Sequence, residues 1–189
     1  EEINDLAKSE VSICHCPVCN SKLAMGVAKV PQMLKSGVNV CLGTDGAPVN
    51  NTLDMFREMR HTVLLHRINS MTPLFPRTEE AIEMATLNGA KALRMSDEIG
   101  SIEPGKKADL IIVDIENPRT IPVHDPVSPL VWTATGQDVN TTIIDGQIVM
   151  EDRDVKTIDE SKVMKDVKRI KEKIRKQAGI EIDEKWPHI

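Results

Sequence analysis

Short apolar runs that end at proline or glycine predict two strands within the first fifty residues. In VSICHCP (11–17), β-branched residues occupy positions 11 and 13 and the proline stops the run, which predicts a strand over about 11–16. The stretch VNVCLGTD (38–45) predicts a second strand. Residues 18–30 between them lack such a pattern and are expected to form a loop.

Helix signals separate and follow these strands. A proline at the first helical position and a glycine after the last predict a short helix over 31–36. Another helix is predicted from 51 or 52 to about 67. A third begins with Thr78 as its cap and has two glutamates in its first turn, where they favour the helix dipole. Strands that alternate with helices predict a parallel β/α architecture.

The second half of the chain has a different pattern, beginning near residue 98. ADLIIVD (108–114) predicts a strand. TTIIDGQIVM (141–150) predicts two short strands joined by Asp145 and Gly146, a dipeptide typical of tight hairpins. We therefore expect an antiparallel sheet that is separate from the first pair of strands.

The tail predicts an amphipathic helix over 159–177. Its apolar residues recur at spacings of four, three and four, which places them on one helix face: Val163, Val167, Ile170 and Ile174. Lysine and arginine cover the other faces, which is more typical of a solvated helix than of a basic binding patch.

Bulk composition is that of an ordinary globular chain. Its 189 residues are 40% hydrophobic and 28% charged, enough for one core or for parts of two domains. A net charge of −5, no membrane-length apolar run and no signal pattern predict a cytoplasmic protein without nucleic-acid or membrane partners. The chain opens on a glutamate instead of a methionine, so we expect a fragment or a processed product.

The stretch CHCPVCN (14–20) raises the question of a zinc site. A structural zinc takes four ligands, usually as two spaced pairs, but three of the four cysteines fall in this one cluster. Free cysteine is often buried, so reduced thiols are favoured over a zinc knuckle, which stays open as the alternative. In particular, free and mostly buried thiols are expected at Cys14, Cys16 and Cys41.

A second candidate is Asp45 in GTDG (43–46), at the end of a predicted parallel strand. Catalytic residues of β/α barrels lie at that end of the strands. Strand alternation places Asp45 on the same face as Cys41 and Gly43. A structural role as a cap of the next turn is equally compatible with this spacing.

The histidines do not form an obvious metal site. His61 and His66 are five residues apart, so they do not share a helix face. His124 lies in a predicted loop and His188 near the chain end. A catalytic zinc takes three protein ligands, and these histidines are expected to be structural or exposed.

Five motifs in a fixed order resemble a known family: HCPVCNSKLAMG, GVNVCLGTDGAPVNN, EEAIEMATLNGAKAL, GSIEPGKKADLIIVD and HDPVSPLVW. From Glu1 to about Gly179 they resemble the C-terminal half of the metal-dependent amidohydrolases. The branch is that of 5′-methylthioadenosine/S-adenosylhomocysteine deaminases, guanine deaminases and triazine hydrolases. The resemblance implies an α/β fold. Residues 1–97 would be the C-terminal part of a (β/α)8 TIM-like barrel, 98–158 part of a small composite β-sandwich, and 159–189 a terminal helix and tail.

The resemblance also implies roles for individual residues. Asp45 matches the aspartate that binds a single divalent metal, zinc in the first place and iron as the alternative, and that accepts a proton from water. His15, Asn20 and Asn50 would contact the substrate or support the metal site. CHCPVCN would then border the metal site without binding the metal.

Two departures from the family pattern matter. The family's histidine ligands and its acid/base glutamate have no counterpart in this chain, so we expect the metal to bind only together with a missing N-terminal half. The chain alone is expected to be inactive, and to associate with that half or with itself. In addition, Cys19 replaces a usual serine, and Val49 replaces a serine that often follows GTDGA.

The reaction that the resemblance implies is hydrolytic deamination. Water activated by the metal would attack a purine-type ring of a 5′-methylthioadenosine, S-adenosylhomocysteine or adenosine-like small molecule, and ammonia would leave. One alternative is hydrolysis of another C–N or C–Cl bond, in guanine, a triazine or a cyclic amide. Another is a truncated, non-catalytic paralogue.

Overall fold

The computed structural model describes residues 2–179. Glu1 and residues 180–189 lie outside the described part, and with them His188 and the end of the predicted 159–189 tail. The strands are β1 (Ser12–His15), β2 (Asn39–Leu42), β3 (Leu110–Val113), β4 (Val139–Ile144), β5 (Gln147–Glu151) and β6 (Asp154–Val155). The helices are α1 (Glu2–Lys8), α2 (Pro17–Lys22), α3 (Val30–Lys35), α4 (Ala47–Asn50), α5 (Met55–Ser70), α6 (Thr78–Ala85), α7 (Leu87–Ala92), α8 (Ser128–Trp132) and α9 (Glu160–Ala178).

The first two strands are neighbours and run parallel, as predicted. Their register pairs Ser12 with Asn39 and His15 with Leu42. The helix predicted over 31–36 is confirmed as α3, which connects the two strands. Both strands therefore end at the same edge of the sheet, and the loops that follow them lie side by side.

The prediction of a loop over 18–30 is wrong at its start, where the structure has helix α2. Pro17 begins this helix, since its fixed φ suits a first helical position and it has no N–H that needs a partner. Cys19 is buried within the helix. Burial of this residue stabilises a short helix that the local pattern alone does not predict.

Two helix starts also differ from prediction. Helix α5 begins at Met55 because the Asp54 side chain caps it, accepting from the backbone N–H groups of Phe56 and Arg57. Thr78 is the first residue of α6 and not its cap. The residue before it, Arg77, occupies the cap position, and its backbone N–H donates to the Glu80 carboxylate at 2.6 Å.

The second sheet is antiparallel, with strand order β3-β4-β5-β6, as predicted for this half. The hairpin between β4 and β5 turns at Asp145 and Gly146, whose φ angles are 49° and 77°. Positive φ at both central residues is the conformation that an Asp-Gly pair favours in a two-residue hairpin.

One buried cluster joins the two halves of the chain. Helix α5 packs Phe56, Met59 and Val63 against the apolar face of β2, and residues of α8 and β4 complete the same cluster. The Arg67 guanidinium lies over the Trp132 ring of α8, 5.2 Å from its centroid. The core therefore extends across residue 98.

Helix α9 confirms the predicted amphipathic helix, with Asp159 as its cap. Its apolar stripe is exposed, from 45% at Val163 to 58% at Val167. No helix within residues 2–179 is both long enough and apolar enough to cross a lipid bilayer.

Candidate functional site

Asp45 lies in the loop that follows β2, at the edge of the sheet where both parallel strands end. Its backbone is left-handed, with φ of 61°, and its side chain is exposed. Because β2 ends at Leu42, strand alternation does not reach Asp45, and the loop conformation sets the direction of its carboxylate.

Two donors hold the Asp45 carboxylate. The Cys19 thiol donates to Oδ2 at 2.8 Å, and the backbone N–H of Gly46 donates to Oδ1 at 2.5 Å. These hydrogen bonds keep the pKa of the Asp45 carboxyl below its usual range, since they favour the ionised form. The same contact raises the pKa of the Cys19 thiol. Asp45 therefore presents an ionised carboxylate to solvent, with lone pairs free to bind a cation or accept a proton.

His15 is buried in the core. It is 2% exposed, and its Nε2 lies 3.1 Å from Nε2 of His66 on α5, which is fully buried. Burial lowers the pKa of each imidazole to about 4, so both are neutral near pH 7. The structure thus brings His15 to His66 and not to Asp45, and any influence of His15 on the loop is indirect.

The two predicted asparagines lie on opposite sides of Asp45 along the chain. Asn20 is in α2 and half-buried. Asn50 ends α4 and is buried, and its amide donates to the Glu58 carboxylate of α5 at 2.6 Å. The second Glu58 oxygen accepts from the backbone N–H of Val18 at 3.2 Å.

Sequence reasoning missed Glu58, and it did not indicate that His66 contacts His15. Glu58, Thr62 and His66 are buried polar residues spaced four apart on α5, so they form one ridge of the helix. A polar line of this kind next to the apolar stripe of Phe56 and Met59 is the signal that could have indicated their burial. Hydrophobic periodicity alone assigns such residues to the solvent side.

The face of the β1–β2 sheet opposite His15 carries the thiols of Cys14 and Cys41, and Cys16 lies just after β1. All four cysteines within the described residues are free; Cys41 is buried, Cys16 half-buried and Cys14 exposed, so the prediction of burial is wrong for Cys14. A Cβ on Gly43 would lie 2.5 Å from Cys14 Sγ, so a larger residue there would require the exposed Cys14 side chain to shift. Burial and the neighbouring Cys14 raise the pKa of Cys16 to about 12 and that of Cys41 to about 11, which makes them poor thiolate donors.

A divalent metal of the kind that the sequence resemblance implies would find one suitable ligand within the described residues. The exposed, ionised Asp45 carboxylate suits a zinc ligand position. Within residues 2–179, however, His, Cys, Asp and Glu side chains do not form a group of three that could hold a metal ion. The described residues therefore fit one position of a zinc site and do not complete it.

Curated relatives match most of this chain. Residues 1–149 match the model of the Amidohydrolase family. A 5-methylthioadenosine/S-adenosylhomocysteine deaminase of Syntrophomonas wolfei is 46% identical over 179 residues, which are 95% of this chain and 41% of that relative. A protein of the same name from Acetivibrio thermocellus is 51% identical over 164 residues, 87% of this chain and 38% of the relative. A 5′-deoxyadenosine deaminase of Methanosarcina acetivorans is 44% identical over 178 residues, 94% of this chain and 41% of the relative.

Solved structures show the same partial match. An adenosine deaminase from Xanthomonas campestris with bound zinc has a TM-score of 0.90 and 35% identity, covering 93% of this chain and 40% of that one. An atrazine chlorohydrolase from Arthrobacter aurescens complexed with zinc has a TM-score of 0.79 and 25% identity, covering 89% of this chain and 38% of that one. The chain thus spans between 38% and 41% of the length of the curated relatives described above. Since the family model covers residues 1–149 of the 189, the chain belongs to the amidohydrolase family.

Proposed function

We propose that this chain is the C-terminal part of a metal-dependent hydrolase that removes ammonia from a purine-type ring. The expected substrates are 5′-methylthioadenosine, S-adenosylhomocysteine and adenosine-like compounds. Relatives named as deaminases of such compounds are 44% to 51% identical to this chain, whereas the atrazine chlorohydrolase is 25% identical. Deamination is therefore favoured over cleavage of a C–Cl bond.

The proposed fold of the complete enzyme divides this chain into three parts. Residues 1–97 would form the last part of a (β/α)8 barrel, which the parallel β1–β2 pair and the helices packed on it support. Residues 98–158 would belong to a composite β-sandwich, supported by the antiparallel sheet from β3 to β6. Residues 159–189 would form the terminal helix and tail, supported by α9 as far as the described residues reach.

The observation that carries the proposal is the Asp45 carboxylate, exposed and ionised at the carboxyl edge of a parallel strand pair. Asp45 would be one ligand of the metal. Zinc is the expected metal, because the similar adenosine deaminase and atrazine chlorohydrolase structures contain zinc. A bound zinc supplies Lewis acidity that makes water nucleophilic near neutral pH. Asp45 would also accept a proton from the attacking water, while Cys19 holds the carboxylate in position through its hydrogen bond.

The remaining ligands would come from the part of the relatives' length that this chain does not match. We expect the active enzyme to contain that part, either in the same polypeptide or by association. The three residues His15, Asn20 and Asn50 would then support the loops around the site, because the buried His15 and Asn50 contact α5 and Asn20 lies within α2.

The test uses the protein extended at its N-terminus to the length of its relatives and loaded with zinc. Ammonia release from 5′-methylthioadenosine is followed for the wild type and for Asp45→Asn. The asparagine keeps the shape but removes the charge and the proton acceptor, so turnover should fall by at least about 100-fold. Zinc content, measured by elemental analysis, should fall in parallel.

Cys19→Ser is the matched control, because serine can donate the same hydrogen bond to Asp45. It should cost much less turnover than Asp45→Asn, as should His15→Ala. Near-normal turnover in Asp45→Asn would end the assignment of Asp45 as a ligand. Absence of ammonia release from the extended wild type with every purine nucleoside tried would instead favour the non-catalytic alternative.

A further inference from the structure

Glu58 is a buried carboxylate that the proposed chemistry does not use. It lies in the first turn of α5 and is 1% exposed. Its partners are two neutral N–H donors, the Val18 backbone and the Asn50 side-chain amide. Burying a carboxylate is costly unless its hydrogen bonds are made, so these two contacts determine whether Glu58 is tolerated there.

The two donors belong to different segments of the chain. Val18 lies in α2, which follows β1, and Asn50 ends α4, which follows β2. Glu58 therefore connects the segments that leave the carboxyl ends of both parallel strands. The exposed Lys22 also joins them, donating to the Val49 carbonyl at 2.7 Å, but a solvated contact of this kind is weak.

Asn50 extends the connection along its own loop. While its amide donates to Glu58, its Oδ1 accepts from the backbone N–H of Leu53 at 2.9 Å and from Thr52. These hydrogen bonds to Asn50 fix the turn between α4 and α5. The segment that follows Asp45 is therefore held at its C-terminal end, where α4 ends.

The contacts close into a ring that includes Asp45. Cys19, next to Val18, donates to Asp45, and the residue after Asp45 is the cap of α4. We propose that Glu58 is a positioning residue that holds the α2 and α4 loops together and so fixes where Asp45 presents its carboxylate. We call the contacts of Glu58 with Val18 and Asn50 the clamp. Its consequence for metal binding rests on the proposed function of Asp45, whereas the clamp itself does not.

The chemistry of the clamp requires one acceptor and one donor in a defined order. Both partners of Glu58 donate, so Glu58→Gln leaves an amide N–H facing another donor. Asn50→Asp places two carboxylates in contact within the core. The double variant Glu58→Gln/Asn50→Asp restores both hydrogen bonds of residue 58. The introduced glutamine still accepts from the Val18 N–H, and its amide now donates to the new carboxylate at position 50, which reverses the direction of that one bond. The net charge of the buried pair is also unchanged.

The experiment measures alkylation of individual cysteines by iodoacetamide in the full 189-residue chain, with mass spectrometry separating the sites. Cys19 is 3% exposed and reports opening of the α2 loop, while Cys41 is 5% exposed and reports opening of β2. In each single variant, Cys19 should react at least about tenfold faster, as expected for loss of a buried hydrogen bond, with Cys41 little changed. In the double variant the Cys19 rate should return to within about threefold of the wild type.

Thr62→Val is the matched control. Thr62 lies one turn after Glu58 on the same helix, is fully buried, and its hydroxyl has no hydrogen-bond partner within the described residues. This variant should leave the Cys19 rate unchanged. Equal acceleration at Cys19 and Cys41 in Glu58→Gln, or a double variant no slower than the single ones, overturns the clamp. Should a single variant fail to fold, a folded double variant supports the clamp and an unfolded one overturns it.

The link to Asp45 is measured separately, as zinc affinity of the protein extended to the length of its relatives. Glu58→Gln should weaken zinc binding at least about tenfold, the range typical for groups that orient metal ligands, and the double variant should recover it. If the wild type binds no zinc, the proposed function fails while the alkylation result stands. If zinc affinity is unchanged in Glu58→Gln although Cys19 opens, Glu58 does not position Asp45.

Discussion

At the scale of single residues, His15 and His66 form a pair of buried titratable side chains in contact with each other. Their Nε2 atoms are 3.1 Å apart, so one ring must donate and the other accept. Burial lowers the pKa of both to about 4, which keeps them neutral and makes this hydrogen bond possible. Protonation of either ring would place a cation in the core, and protonation of the accepting ring would also remove the acceptor.

This pair predicts an acid-sensitive fold. The folded-state pKa of each histidine lies below its ordinary value of 6.5, so the stabilisation is fully present above pH 6.5 and is lost as the pH falls toward 4. Between pH 7 and 5.5 the free energy of unfolding should fall by about 1 kcal/mol per histidine. Urea unfolding at both pH values measures this. His66→Phe should flatten the decrease, while His124→Ala, at an exposed loop position, should not; equal slopes in all three proteins would contradict the assignment.

At the scale of secondary-structure elements, Asp54 determines where α5 begins and what it touches. Its Oδ1 accepts from the Phe56 and Arg57 N–H groups, and its Oδ2 accepts from the Gly136 N–H at 3.0 Å. One carboxylate thus caps the helix that carries Glu58 and ties it to the second half of the chain. The start of α5 and the position of the segment at Gly136 are therefore coupled.

Two variants of Asp54 separate these roles. Asp54→Ala removes both and should lower the free energy of unfolding by about 1–2 kcal/mol, as for other lost caps. Asp54→Asn keeps an oxygen for the cap but places an amide N–H against Gly136, so it should cost less. By hydrogen exchange, the Gly136 amide should be less protected in both variants and the Phe56 amide only in Asp54→Ala. Loss of protection at Phe56 in Asp54→Asn as well would show that the carboxylate charge, and not the cap oxygen, stabilises the helix start.

At the scale of the whole molecule, apolar surface remains uncovered. Every apolar residue of the α9 stripe is at least 45% exposed, and Met25 after α2 is 69% exposed. The β1–β2 sheet has two strands, so each has an edge without a strand partner within the described residues. Open strand edges and contiguous apolar surface both favour association.

We therefore expect the 189-residue chain to self-associate in solution. Sedimentation velocity at micromolar concentration should show species larger than a monomer. Replacing Val167 and Ile170 with lysine should shift the distribution toward monomer, because it interrupts the stripe, and Lys171→Gln on the polar face should not. A compact wild-type monomer across the concentration range would refute the expectation; association that persists in the lysine variant would place the contact at the strand edges.

The sequence alone determined the elements whose signals are local. The β1 and β2 strands, the Asp145–Gly146 hairpin and helix α9 follow from alternation, turn chemistry and helical periodicity, which act between residues a few positions apart. It also determined that Asp45 follows a parallel strand, and the five ordered motifs were enough to identify the family.

The tertiary structure alone decided which polar groups meet. Fifty-one positions separate His15 from His66 and 40 separate Val18 from Glu58, and both contacts exist because packing of α5 brings these residues together. Helix α2 forms at a place that local propensity leaves as loop, since burial of Cys19 stabilises it. Buried polar contacts depend on satisfying hydrogen bonds in a particular packed arrangement, a property of the folded chain that hydrophobic periodicity does not encode.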